Sequence, residues 1–146
     1  MSDFRVLSAT MFASPQISPE DLLNAANEGV TLIINNRPDG EAPEEPQGAE
    51  IEAAARAAGL DYVAIPIGQA GFSEPQVQAL QDALASCDGK ALGYCRSGTR
   101  STFLWSLAQA REGVAPDDIA AAAQAAGYDI SPIRPAIDMF AAQAKS

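Results

Sequence analysis

One stretch of the sequence, residues 90–101, constrains the fold more than any other part of the chain. Lys90–Tyr94 is a short apolar run typical of a buried strand, and the segment Cys-Arg-Ser-Gly-Thr-Arg-Ser follows it directly at residues 95–101. Apolar residues then recur at helical spacing from Phe103 onward. The pattern predicts a strand, a tight loop and the first turn of a helix.

Two residues of this loop have the chemistry of a nucleophile and an anion clamp. A thiol at a helix N-terminus faces unpaired backbone N–H groups and the positive end of the helix dipole, which favour the thiolate and hold a bound oxyanion. The guanidinium fork of Arg100 matches two oxygens of a tetrahedral anion, and Gly98 lets the loop curl. We therefore predict Cys95 as the nucleophile and Arg100 as the clamp.

The rest of the loop is predicted to line the anion cradle. Arg96 is either a solvated side chain or a second anion contact, and the sequence favours neither. Ser101 is predicted to cap the helix, and its hydroxyl could also stabilise the Cys95 thiolate as a leaving group. The predicted substrate-binding residues are Arg96, Ser97, Gly98, Thr99 and Ser101.

Composition excludes several classes of protein. A formal net charge of −10 leaves no basic face for a nucleic acid or an anionic membrane. No run approaches the roughly 20 apolar residues of a membrane span, and the first residues lack the order of a signal peptide. The two cysteines, Cys87 and Cys95, fit a reducing compartment, and Cys87 is predicted to be a packing residue. We expect a cytoplasmic protein with no nucleic-acid or membrane partner, forming one domain over residues 1–146.

The sequence contains no histidine. This absence excludes Ser-His-Asp and Cys-His catalysis, histidine acid–base steps and histidine-ligated zinc, and it leaves carboxylates, tyrosine, lysine and the thiol. The predicted mechanism calls for no metal and no cofactor.

Helices and strands alternate along the chain. Helices are predicted from Pro19 to Glu28, from Glu50 to Ala58, between the N-cap Ser73 and Gly89, after the Cys95 loop, from Pro116 to Ala126 and from Ser131 toward Ala144. Strands are predicted at Val30–Ile34, Tyr62–Ile67 and Lys90–Tyr94, with a weak edge strand within residues 4–12. The order predicts an α/β fold, a small parallel or mixed central sheet flanked by helices. Residues 35–39, residues 67–71 and the Cys95 loop could then meet at one rim.

Acidic residues crowd the predicted loop 38–48. Asp39 has three interpretations: turn residue of Pro-Asp-Gly, which this strong turn signal favours, partner of Arg37, or general acid. Glu74 is the other acid candidate, although it also suits the first turn of a helix. As a general acid, Asp39 ranks narrowly ahead of Glu74. The glutamates at positions 41, 44 and 45 are predicted to form a solvated face.

The Cys95 loop resembles those of two families. Protein tyrosine and dual-specificity phosphatases place five residues between cysteine and arginine, usually with histidine before the cysteine, whereas four residues separate Cys95 from Arg100 and Tyr94 precedes. Rhodanese-type sulfurtransferases use a four-residue gap, and this loop looks much like theirs. On the loop alone, the resemblance favours sulfur transfer.

A longer resemblance, over about residues 4–130, favours a phosphatase-like domain over a sulfurtransferase. The segments that carry it are Gln16–Leu22, Ile33–Glu41, Ile65–Pro66 and Cys95–Ser101, which in this order resemble the bacterial beta-lactamase-hydrolase-like phosphatase-like domain. The resemblance implies a cysteine-phosphatase-like fold with the Cys95 loop as its phosphate cradle. Cysteine phosphatases usually carry an aspartic general acid after the strand that corresponds to Tyr62–Ile67, but residues 66–76 contain no Asp.

These observations predict a cysteine-dependent phosphatase-like hydrolase that acts on a phosphorylated small molecule or protein through a Cys95 thiophosphate. The alternatives are a rhodanese-type sulfurtransferase with a Cys95 persulfide and a non-catalytic domain that binds phosphate or sulfate groups.

Overall fold

The structure is a computed structural model that describes residues 2–42, 44–68 and 70–144. Pro43, in the predicted loop 38–48, lies outside the described residues. The strands of the described part are β1 Arg5–Ser8, β2 Met11–Ser14, β3 Val30–Asn35, β4 Asp61–Ala64 and β5 Lys90–Tyr94. Its α-helices are α1 Pro19–Asn27, α2 Gly48–Ala57, α3 Glu74–Ala85, α4 Thr99–Arg111, α5 Pro116–Ala125 and α6 Arg134–Ala144, with a 3-10 turn at Ser131–Ile133.

The strands form one mixed sheet in the order β1-β2-β5-β3-β4, with β5 at its centre. β1 pairs antiparallel with β2, and the other three pairings are parallel. The predicted α/β fold with a mixed, helix-flanked sheet is confirmed. The predicted edge strand within residues 4–12 is β1, which lies at the edge of the sheet. The prediction missed β2, the second strand of this hairpin, which lies inside the sheet against β5.

Helices cover both faces of the sheet. On one face, Leu22 of α1 and Ile51 of α2 pack with Ile33 and Leu92. The four helices α3 to α6 supply the other core, where Leu104 of α4 and Ile137 of α6 are completely buried. Burial on both faces explains why β3 is nearly continuously apolar.

The helix start signals in the sequence operate as predicted. Asp21 accepts the N–H of Ser18 at 2.9 Å, and Gln76 accepts the N–H of Ser73 at 2.8 Å. Each residue satisfies an N–H group that the helix itself leaves unpaired. The last helix differs from the prediction, because the turn at Ser131–Ile133 precedes α6.

Candidate active site

The predicted rim exists at the carboxyl edge of the sheet. Ser14, Tyr94, Asn35 and Ala64, the last residues of four parallel strands, are paired in register across the sheet. The segments that follow these strands therefore leave the sheet side by side, where parallel sheets bind their ligands. Within the predicted segment 67–71, Gln69 lies outside the described residues.

Cys95 is the first residue after β5, and backbone hydrogen bonds join it and Arg96 to the end of β2 and the residues that follow β2. Its N–H donates to the carbonyl of Ser14 at 3.3 Å, and the carbonyl of Arg96 accepts the N–H of Gln16 at 3.2 Å. Only 1% of Cys95 is exposed. Its Sγ accepts the N–H of Gly98 at 3.0 Å, and a backbone N–H at this distance stabilises negative charge on the sulfur.

The loop becomes helix α4 at Gly98, whose φ of 92° suits glycine. Because α4 begins at Thr99, the prediction that Ser101 caps the helix was wrong. Ser101 lies in the first turn with 1% exposure, and its Oγ has no hydrogen-bond partner among the described residues. The N-cap is Gly98, and the Oγ of Ser97, the residue before it, accepts the N–H of Thr99 at 3.3 Å.

Several N–H groups of the loop and first turn are available to an anion. Gly98 donates to the Cys95 sulfur and Thr99 to Ser97. Within residues 2–42, 44–68 and 70–144, no acceptor contacts the N–H groups of residues 96, 97, 100 and 101. Such groups at a helix N-terminus bind tetrahedral oxyanions.

Tyr128, which follows α5, packs against the loop from the side. The Tyr128 side chain is 8% exposed, and its hydroxyl donates to the carbonyl of Ser97 at 3.0 Å. A Cβ atom on Gly98 would collide with this hydroxyl, so the close approach also requires glycine there. The guanidinium carbon of Arg5 lies 5.2 Å from the centre of the Tyr128 ring. Burial raises the pKa of Tyr128, with Arg5 acting in the opposite direction.

Arg100 projects from the first turn of α4 into a bidentate ion pair with Glu41. Nη1 donates to Oε2 at 2.7 Å and Nη2 to Oε1 at 2.9 Å. Nη1 also donates to the carbonyl of Ile67 at 2.8 Å. Glu41 is the main cause of a raised Arg100 pKa, and the nearby Cys95 thiol acts in the same direction.

Arg37 anchors the other side of Glu41. The Arg37 side chain is 7% exposed, and its Nε donates to Oε1 of Glu41 at 2.9 Å. Its Nη1 contacts Oε1 of Gln16 at 2.8 Å and a carboxylate oxygen of Glu45 at 3.1 Å. The side chains of glutamates 41 and 45 remain 32% and 36% exposed, as a solvated face requires, but the prediction missed that arginines bind both carboxylates.

The same contacts determine the protonation state of Glu41. Its hydrogen bonds with Arg100 and, secondarily, Arg37 lower the pKa of Glu41 to about 2, against the effect of burial. Glu41 is therefore ionised at neutral pH and cannot act as a general acid.

The two candidate acids lie in different places. Asp39 is exposed and lies in a turn with Gly40, whose φ is 87°, as the turn interpretation expects. Its Oδ1 accepts the N–H of Gly48 at 2.8 Å at the start of α2. The interpretation as a partner of Arg37 was wrong, because Arg37 pairs with glutamates 41 and 45 instead. The loop of Asp39 also carries Glu41, the partner of Arg100. Glu74 begins α3 and lines an apolar cleft with Met139 and Phe140. The geometry thus brings the loop of Asp39, but not Glu74, toward the Cys95 loop.

A charged cavity of about 490 Å³ opens beside the Cys95 loop. Arg96, Arg100 and Arg37 line it together with the glutamates at positions 41, 44 and 45. Arg96 is exposed and has no ion pair within the described ranges. A second anion contact by Arg96 stays a prediction.

Sequence reasoning missed three residues of this site: Glu41, Arg37 and Tyr128. Arg37 and Glu41 stand four positions apart around Pro-Asp-Gly, a spacing that permits an ion pair. A buried arginine needs a compensating partner, so their pairing was the available signal. No signal in the sequence pointed to Tyr128, because its contact with Ser97 joins residues that are 31 positions apart.

Solved structures with this architecture define the class of fold. A Neisseria meningitidis protein named "putative phosphatase" matches with a TM-score of 0.83 and 30% identity, covering 96% of this chain and 99% of that one. Kinase associated phosphatase, solved with serine in place of its catalytic site cysteine, matches with a TM-score of 0.75 and 13% identity over 100% and 96% of the two chains. TpbA of P. aeruginosa in complex with pTyr matches with a TM-score of 0.68 and 13% identity, covering 99% of this chain and 91% of that one. The fold is that of a cysteine-phosphatase-like α/β domain.

The sequence comparisons identify the family. Residues 3–112 match the family described as "Beta-lactamase hydrolase-like protein, phosphatase-like domain", and the chain belongs to this family. The beta-lactamase hydrolase-like protein of Xylella fastidiosa strain Temecula1 is 38% identical over 118 residues, which make up 80% of this chain and 27% of that protein. The chain thus spans about a quarter of the curated relative, and one domain over residues 1–146 stays a prediction. In the described part of the chain, no helix is long and apolar enough to cross a membrane.

Proposed function

We propose that this chain is a cysteine-dependent phosphatase-like hydrolase that acts on a phosphate ester. The arrangement at the centre of the rim carries the proposal: a buried Cys95 sulfur bound by the Gly98 N–H at 3.0 Å, with Arg100 beside it. Membership of the phosphatase-like family and the fold support the same conclusion.

The proposed reaction has two steps. The Cys95 thiolate attacks phosphorus in line, the S–P bond forms, and the ester P–O bond breaks as the leaving oxygen takes a proton. Water then attacks phosphorus, the S–P bond breaks, and inorganic phosphate and the thiolate are released. Loop N–H groups hold the equatorial oxygens as their charge increases.

Arg100 retains donors for the substrate. A guanidinium has five N–H donors. Glu41 and the carbonyl of Ile67 occupy both donors of Nη1 and one of Nη2. The Nε–H and the second Nη2–H form another fork, which is the edge we assign to two phosphate oxygens.

We assign the proton donation to Asp39, ahead of Glu74. The hydrogen bond with Gly48 occupies Oδ1 of Asp39, so Oδ2 is the atom that would carry the proton. Glu74 lies in the apolar cleft with Met139 and Phe140, which supports this ranking.

The substrate is proposed to be a phosphorylated small molecule or protein. The complex of TpbA with pTyr fits this class of ligand in a related fold. Three arginines and three glutamates line the charged cavity, and we assign the anionic group to its side formed by Arg96 and Arg100. A cytoplasmic location remains our prediction, and it suits a mechanism that depends on a reduced thiol.

Sulfur transfer is the second candidate, because four residues separate Cys95 from Arg100. In that reaction Cys95 would carry a persulfide from an anionic sulfur donor to a thiol or cyanide. A binding domain without turnover is the third candidate.

Cys95→Ser separates turnover from binding. The cradle consists of backbone N–H groups and Arg100, so this variant should lose hydrolysis of an aryl phosphate yet still bind inorganic phosphate in calorimetry. Retention of most of the activity would contradict the thiolate mechanism, and loss of phosphate binding would contradict the proposed cradle.

A further inference from the structure

We propose that Glu41 is a positioning residue for Arg100, holding the guanidinium so that its free edge faces the phosphate site. The inference rests on the proposed function and adds a residue that the sequence placed on a solvated face. Its basis is the bidentate contact at 2.7 and 2.9 Å between the two side chains.

The contact fixes the orientation of the guanidinium plane. An arginine side chain has many rotamers, and ordering it in one of them has a cost in conformational entropy. Two parallel hydrogen bonds to Glu41 and one to the carbonyl of Ile67 define the plane before substrate arrives. The ordering cost is then met during folding instead of during binding.

Glu41 is itself held in place. Its Oε1 accepts from Nε of Arg37 at 2.9 Å, and Arg37 is 7% exposed and bound to Gln16. Arg37 thus attaches the carboxylate to the carboxyl end of β3, the strand next to β5. The chain of contacts links Arg100 to the sheet that also positions Cys95.

The charges are compatible with anion binding. Glu41 pairs with both Arg100 and Arg37, and Arg37 pairs with Glu45 as well, so these four side chains together are neutral. The ion pairs therefore fix the direction of the Arg100 donors without adding net negative charge. Positive charge for the phosphate comes from Arg96, which lines the same cavity and has no ion pair within the described ranges, and from the N–H groups of the loop.

The opposite role, in which Glu41 imitates the phosphate and blocks Arg100, predicts the reverse of every binding result. Removing a blocking carboxylate would tighten anion binding, whereas removing a positioning carboxylate weakens it. Inorganic phosphate is therefore the decisive probe, since its affinity does not depend on turnover.

The experiment compares Glu41→Gln with Glu52→Gln. Both variants lose one carboxylate that pairs with an arginine, but Glu52 pairs with Arg56 on α2 and does not line the charged cavity. Glu41→Gln should weaken phosphate binding and lower kcat/KM for an aryl phosphate by about 10-fold, mostly through KM, while Glu52→Gln should change the phosphate affinity and kcat/KM by less than about 3-fold each.

A double mutant isolates the route through Arg100. In an Arg100→Lys background, Glu41→Gln should have almost no further effect on phosphate affinity, because the fork it positions is gone. Equal losses in both backgrounds, tighter phosphate binding by Glu41→Gln, or an equal loss in Glu52→Gln would each overturn the proposal. A variant that merely unfolds in part would lower kcat at unchanged KM and phosphate affinity, which also overturns it.

These readouts distinguish failure of the inference from failure of the proposed function. If the wild type hydrolyses no phosphate ester but Glu41→Gln still weakens phosphate binding, the positioning role stands and the hydrolase proposal fails. If hydrolysis is present and phosphate affinity is unchanged in Glu41→Gln, the hydrolase proposal stands and the positioning role fails.

Discussion

The hydroxyl of Tyr128 donates a hydrogen bond to the carbonyl of Ser97 at 3.0 Å, which joins the segment after α5 to the loop that carries Cys95. The matched family region ends at residue 112, so this support comes from a part of the chain beyond it. The loop therefore depends on packing from the C-terminal helices as well as on its own sequence.

Tyr128→Phe removes this hydrogen bond and keeps the ring against Arg5. We expect the free energy of unfolding to fall by about 1 kcal/mol and KM for an aryl phosphate to rise. Denaturant unfolding and steady-state kinetics measure the two effects. Tyr62→Phe is the control, because the hydroxyl of Tyr62 accepts a hydrogen bond from Asn35 at 2.9 Å and, among the described residues, makes none with the Cys95 loop. Equal KM changes in both variants would contradict a specific effect of Tyr128.

Arg100→Lys tests the clamp. An ammonium group keeps the charge but cannot make two parallel hydrogen bonds to phosphate, so activity should fall far more than conservation of charge suggests. Steady-state kinetics with an aryl phosphate gives the answer. A loss of less than about 3-fold, equivalent to under about 1 kcal/mol of barrier, would show that Arg100 is not the clamp.

Asp39→Asn tests the proposed acid with little change to the fold. Asparagine keeps an oxygen for the Gly48 N–H, which Asp39 now binds at 2.8 Å, but it cannot supply a proton. Turnover of an ester with a poor leaving group should fall by about 10²–10⁴-fold, while a good leaving group masks the loss. Vanadate binding should be unaffected. If turnover is unchanged even with the poor leaving group, Glu74 is the next residue to test.

The ion pairs of Glu41 predict a pH dependence of stability. Because the folded-state pKa of Glu41 is lowered from 4.5 to about 2, its contribution is complete well above pH 4.5 and disappears as the pH falls toward 2. The difference in melting temperature between wild type and Glu41→Gln should therefore be constant near neutral pH and shrink below pH 4.5. A constant difference down to pH 2 would contradict this assignment.

Local signals in the sequence account for most of the fold. The caps at Ser18 and Ser73 and the apolar runs at Val30 and Lys90 each depend on a few neighbouring residues, so they could be located without a structure. The inner strand β2 could not, because residues 4–12 gave the signal of an edge strand only, and β2 is stabilised by pairing with β1 and β5.

The residues of the site also fall into two groups, those with a local signal in the sequence and those without one. Cys95 and Arg100 belong to one loop with a recognisable spacing, whereas the partners of Arg100 come from other segments. Glu41 lies 59 positions away from Arg100, and Ile67 contributes a carbonyl that any residue could supply. The helix start at Gly98, which displaced Ser101 as the cap, is determined by packing against Tyr128 together with the glycine conformation.

The central claim is that Cys95 attacks phosphorus and not sulfur. The most direct test measures one preparation of the protein with an aryl phosphate and with thiosulfate plus cyanide, using Cys95→Ser as the blank. We predict hydrolysis of the phosphate ester that depends on Cys95, slow because the loop is one residue shorter than in the phosphatases it resembles, and still faster than thiocyanate formation. Accumulation of a Cys95 persulfide, passed to cyanide faster than any phosphate ester is cleaved, would contradict the account.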